Sequence, residues 1–122
     1  IDKNIPIHVT SSVIETINKS DVVLVITPES FGNSTMLMES MILGKPTMNI
    51  ILDKNIPQFT HVKNNAVLTI SNSIKLKENL KKFLFDKNFQ NQLIKNADNF
   101  IAHYLENRGN ASESCAVLLK SF

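Results

Sequence analysis

The sequence predicts an α/β domain: a parallel sheet of about four strands, flanked by helices and closed by helices at the carboxyl end. Three observations predict it. Apolar runs of strand length alternate with segments of helical period through residue 85, and only helical segments follow. That order places helices on the faces of a parallel sheet. Val22 to Ile26 is apolar at every position, as in a central strand buried on both faces. The stretch from Ser20 to Pro46 reads as strand, polar turn, helix, glycine stop and the start of another strand. Such a unit aims the N–H groups of a helix N-terminus above the strand ends, where phosphates bind.

Each element follows from local pattern. Ile5 to Val9 reads as a short first strand. Ser12-Val13-Ile14-Glu15 has the spacing of a capping box and opens a helix to about Asn18. Val22 to Ile26 is the second strand, and Thr27 to Gly32 is the loop at its carboxyl end. Asn33 or Ser34 caps the next helix, whose apolar residues are Met36, Leu37, Met41, Ile42 and Leu43. Gly44 suits the position just past its end, and Pro46 prevents continuation. Thr47 to Leu52 and Ala66 to Ile70 are the third and fourth strands, joined by a loop with a helical turn after Pro57. Ser71 or Ser73 opens a helix through Leu76, Leu80, Phe83 and Leu84. Asp86 caps a longer one with the stripe Phe89, Leu93, Ala97, Phe100, Ile101 and Tyr104, stopped at Gly109. Asn110, with Glu113 three residues on, opens a last helix over Ala111 to Phe122.

Composition narrows the function classes. The 122 residues suffice for one domain, 1–122, with a real core, and 43% hydrophobic with 20% charged residues are the proportions of a soluble globular protein. No apolar run approaches the roughly 20 residues of a membrane span, and the first residues have no signal-peptide pattern. The chain starts without Met, so it is expected to begin inside a longer protein. A net charge of +2 does not point to nucleic acid. The one basic group, Lys75, Lys77, Lys81 and Lys82, reads as the solvated face of a helix, a membrane-surface or phosphate patch being the other reading. Cys115 is the single cysteine, which suits a reducing cytoplasm; its apolar neighbours predict a buried, inert thiol.

The chemistry concentrates between Gly32 and Glu39. Gly32 lets backbone approach a ligand without a Cβ clash. Asn33, Ser34 and Thr35 add amide and hydroxyl donors to the free N–H groups of the first helical turn, a set suited to a diphosphate. Glu39, about one turn on, can accept hydrogen bonds from a ribose diol. The same residues also describe a capped helix with a surface Glu, and spacing alone does not separate the two. His8 and His103 read as structural, and the three histidines are too dispersed for a metal site. No cofactor is expected. There is no Gly-x-Ser-x-Gly elbow and no Walker lysine pattern. The two sequons, Asn33-Ser34-Thr35 and Asn110-Ala111-Ser112, read as coincidence.

The segment Ser20 to Pro46 resembles the carboxyl-terminal domain of GT-B-type glycosyltransferases and the related UDP-N-acetylglucosamine 2-epimerases. The resemblance lies in the Ser20-Asp21-Val22-Val23 strand, then Gly32-x-Ser34-Thr35-x-x-x-Glu39 and the Gly44-Lys45-Pro46 ending, and covers about a quarter of the chain. The tail from His103 to Ser112 is also similar to the ends of bacterial and archaeal members. The resemblance implies a Rossmann-like, partial GT-B carboxyl-terminal domain from a longer two-domain enzyme. It implies that Ser34 and Thr35 contact phosphate, that Glu39 holds the ribose, and that Gly44 and Pro46 are structural. Glu29, in the loop above the strand, and Gln58 and His61, after the third strand, become donor-sugar candidates. Retaining members often carry a second Glu eight residues before the ribose Glu. Here that position is Phe31, with Glu29 the nearest acid.

The implied function is the nucleotide-diphosphate-sugar-binding half of a glycosyltransferase in surface polysaccharide or glycoconjugate synthesis. The expected donor is a UDP-sugar. The acceptor, a glycan or lipid-linked, is expected to be met through the missing domain, with the full-length protein cytoplasmic or peripheral to the membrane. The fragment alone is expected to be inactive. Two alternatives stand beside it. One is a non-hydrolysing UDP-sugar 2-epimerase, disfavoured by Met36, Leu37 and Met38 where acids are usual. The other is a non-catalytic α/β module that binds a protein through its carboxyl-terminal helices.

Overall fold

The computed structural model describes residues 12–27, 34–52, 59–71, 75–105 and 109–121. Their element order is α1 (Val13–Lys19), β1 (Val23–Thr27), α2 (Thr35–Ile42), β2 (Thr47–Ile51), α3 (Thr60–Lys63), β3 (Leu68–Ser71), α4 (Leu76–Phe85), α5 (Lys87–Tyr104) and α6 (Ala111–Lys120). The fold is α/β. Among the described residues the sheet has three strands rather than about four, all parallel, in the order β1-β2-β3. The expected strand Ile5 to Val9 lies outside the described residues.

Register separates the two faces. Val23, Val25 and Thr27 share a face with Thr47, Asn49, Ile51 and Thr69, because β1 pairs Val25 with Asn49 and β2 pairs Asn49 with Thr69. On this face Val23 and Val25 join Ile17 of α1, Leu37 and Met41 of α2, and Ala97, Phe100 and Ile101 of α5 in one buried cluster. The opposite face presents Leu24, Met48 and Leu68, then Ile26, Ile50 and Ile70. There Met48 and Ile70 pack with Phe83 of α4 and Leu93 of α5. Helix α5 thus serves both clusters, which is how helices following the last strand close a small open sheet.

The sequence expectation for the first described strand needs correction. Val22 to Ile26 reads as buried on both faces, yet β1 alternates, with Leu24 39% and Ile26 59% exposed. The strand buried on both faces is β2, which lies between two neighbours and is covered by α2 on one side and α4 on the other. Two smaller corrections concern helix ends. Ser12 is the N-cap of α1 but its side chain makes no capping bond, and the Glu15 carboxylate pairs with Lys19 one turn on, at 2.6 Å. Helix α5 ends at Tyr104 with Leu105 as C-cap, ahead of Gly109.

Candidate functional site

Helix α2 follows the carboxyl end of β1, the end at which open α/β sheets bind ligands. Its inner face carries Leu37, Ser40 and Met41, all buried. Ser40 is tolerated there because its hydroxyl donates back to the Met36 carbonyl at 2.6 Å, so no polar group is left bare. The other face carries Thr35, exposed, and Glu39, half-buried. Four residues apart, they stand one above the other on the helix surface. Glu39 has no hydrogen-bond or ion-pair partner among the described residues.

Ser34 is the N-cap, in extended conformation. Its Oγ accepts from the Met36 N–H at 3.3 Å, and its carbonyl accepts from the Leu37 N–H at 3.0 Å. The cap therefore uses two donors of the first turn. Among the described residues this leaves the Thr35 N–H and hydroxyl, with the Ser34 O–H, to meet an anion.

The far end of α2 is built by the Gly44-Lys45-Pro46 run. Gly44 has φ +65° and donates to the Met41 carbonyl, while Lys45 N–H donates to that of Ser40, each at 3.0 Å. This is the Schellman pattern, and it needs the left-handed residue that glycine supplies. The Lys45 side chain then reaches back to the end of α1, where Nζ donates to the carbonyls of Asn18 at 3.0 Å and Ser20 at 2.8 Å. An ammonium on the free carbonyls of a helix C-terminus satisfies them and opposes the dipole. Sequence reasoning assigned Lys45 nothing. Its position in the run is its only signal.

The remaining candidates separate. Glu29, Gly32, Asn33 and Gln58 lie outside the described residues. His61, offered by the resemblance as a donor-sugar candidate, lies in the core. It is 5% exposed, stacked on Phe59 with ring centroids 5.6 Å apart and edge-on to Phe100 at 6.4 Å. Its Nε2 has no partner among the described residues, and burial holds its pKa below the ordinary value of 6.5. His61 is a neutral core residue. Its apolar flanks, Phe59 and Val62, were the available hint.

A buried polar group that no motif announces lies on the same sheet face as α2. Thr27 Oγ1 donates to Asn49 Oδ1 at 2.6 Å, and both residues are buried. Asn49 Nδ2 and the Oγ1 of Thr69, its register partner, find no partner among the described residues. Among those residues, no group of three His, Cys, Asp or Glu is placed to hold a metal ion. Three hollows among the described residues, at the α4–α5 junction and along α5, are lined by neither Thr35 nor Glu39.

No protein-family model, curated protein or solved structure matches the chain.

Proposed function

We propose that the chain is the nucleotide-diphosphate-sugar-binding half of a GT-B-type glycosyltransferase that acts in surface polysaccharide or glycoconjugate synthesis. The observation that carries this reading is the outer face of α2, with Thr35 in the first turn and Glu39 one turn on, following the carboxyl end of β1. In this reading the Thr35 N–H and hydroxyl meet the diphosphate of a UDP-sugar, assisted by the positive end of the helix. The same donors stabilise the charge that develops on the leaving diphosphate during transfer. Glu39 accepts from the ribose hydroxyls. Glu29, Gly32, Asn33 and Gln58 remain candidates for the rest of the donor site. The acceptor, a glycan or lipid-linked, is met through a further domain.

Titration of the isotope-labelled chain with UDP, GDP and CDP, followed by amide NMR, tests this. The expected result is shifts centred on Thr35, Met36 and Glu39, largest for UDP. A hydrogen bond to a charged group contributes about 1.5–3 kcal/mol, so Glu39→Ala should weaken binding by about tenfold or more. Shifts centred elsewhere, or binding indifferent to Glu39→Ala, overturn the assignment.

One observation favours a second reading, a module that binds a protein partner. Helix α6 has no buried residue, and Val117, Leu118 and Leu119 are each at least 60% exposed. On that reading nucleotides leave the spectrum unchanged, and substitutions on α6 abolish partner binding.

A further inference from the structure

Helix α4 and the start of α5 gather the chain's positive charge. Residues 75–87 contain Lys75, Lys77, Lys81, Lys82 and Lys87 against Glu78 and Asp86, a net +3. The whole chain carries +2, so the remainder is slightly negative. All five lysines are exposed. Of the two acids, Asp86 is already engaged, its carboxylate accepting from the Phe89 N–H at 3.0 Å as the N-cap of α5.

An apolar element sits inside this charge. The inner side of α4 is spent on the core, with Phe83 buried and Leu76 and Leu80 packed beside it. Phe85 takes no part in that packing. At 75% it is the most exposed large hydrophobic side chain among the described residues, and Leu84 beside it is 39% exposed. Phe85 lines an open hollow of about 610 Å³ together with Lys81, Lys82 and Lys87, and Glu78 and Asp86 also stand on its wall, so the lining keeps one net positive charge. The ammonium of Lys82 is held 4.5 Å from the Phe89 ring centroid, which keeps that charge close to the hollow.

We infer that the α4–α5 junction docks on an anionic lipid surface, with Phe85 and Leu84 entering the headgroup layer and the surrounding lysines meeting lipid phosphates and carboxylates. Charge complementarity and the ringed, unpacked phenylalanine carry the inference. A single aromatic at a helix end fits a bilayer better than single-stranded nucleic acid, which is held on successive stacking platforms. No described helix is long and apolar enough to cross a membrane. The inference does not depend on the nucleotide-sugar reading.

The chain has no tryptophan, so Phe85→Trp places a single reporter at the centre of the surface. Mixed phosphatidylcholine–phosphatidylserine vesicles should shift its emission to the blue and co-sediment with the unsubstituted chain. Phosphatidylcholine alone should do neither. About 1 M salt, which shortens the screening length to about 3 Å, should release the chain. Lys77→Ala with Lys81→Ala, shown to be folded by circular dichroism, should weaken binding about 25-fold, or fivefold per lysine. Any one of four results overturns the inference. These are equal binding to neutral vesicles, no blue shift on anionic ones, undiminished binding by the double variant, or a reporter that responds to single-stranded RNA and not to vesicles.

Discussion

His61 shows how one side chain's chemistry is set by what covers it. A histidine between two phenylalanine rings loses hydration that its charged form needs more than its neutral form does. Its folded pKa therefore lies below the unfolded one. Well above pH 6.5 both states hold a neutral imidazole and the residue adds no pH dependence. As the pH falls below that value, the unfolded chain takes up a proton that the folded chain refuses, and stability declines. The decline is at most about 1.4 kcal/mol per pH unit and stops once the pH drops through the folded pKa. His61→Gln cannot gain that proton. The difference in urea-unfolding free energy between pH 7.5 and 5.5 should be smaller in the variant than in the parent, and equal differences would sink the idea. The histidine's burial is a tertiary fact. In sequence, His61 follows a polar threonine and stands where a ligand-binding loop is expected. Ser34 is closer to the contrary case, because an N-cap is decided by the residues next to it: sequence narrowed the cap to Asn33 or Ser34, and Ser34 is the one used.

At the scale of elements, the α4–α5 elbow has the most to teach. Asp86 both ends α4 and caps α5, as its sequence position predicts. Gln90 was not legible as a core residue, because a glutamine beside an apolar stripe reads as solvated. It is 4% exposed, and its amide donates to the carbonyls of Phe83 at 2.8 Å and Leu84 at 3.2 Å. Those carbonyls belong to the last turn of α4 and have no helical partner further on. Gln90→Ala leaves the buried one bare, so it should cost about 1–3 kcal/mol in urea unfolding. Lys95→Ala, on the exposed side of the same helix, should stay within about 0.5 kcal/mol. Equal effects would mean that the elbow is held by packing alone. The long helix itself was legible because its period persists through five turns. The status of β1 was not. A short apolar run reads the same whether both faces are covered or only one, and neighbours distant in sequence decide which.

For the whole molecule, the question is which parts the core holds. The two buried clusters draw on α1, α2, α4, α5 and the sheet, and neither includes a residue of α6. Sequence predicted that Cys115 would be buried, since an Ala-Val-Leu-Leu run follows it. An amphipathic pattern, however, states only that a helix could bury a face, not that a face awaits it. Cys115 is in fact exposed, and α6 has no buried residue at all. Two consequences can be measured together. The thiol should react with a disulfide reagent in native buffer at nearly the rate seen in urea, because no unfolding step precedes attack. Replacing Val117 and Leu118 with serine should change the unfolding free energy by less than about 0.5 kcal/mol, against the 2–5 kcal/mol expected from truncating a packed leucine such as Leu93. If the thiol is protected, or the serine variant loses stability on the scale of a core truncation, then α6 is covered in solution. Concentration dependence then identifies the cover. Protection that fades on dilution means a second copy of the chain, whereas protection independent of concentration means that α6 folds back onto its own domain.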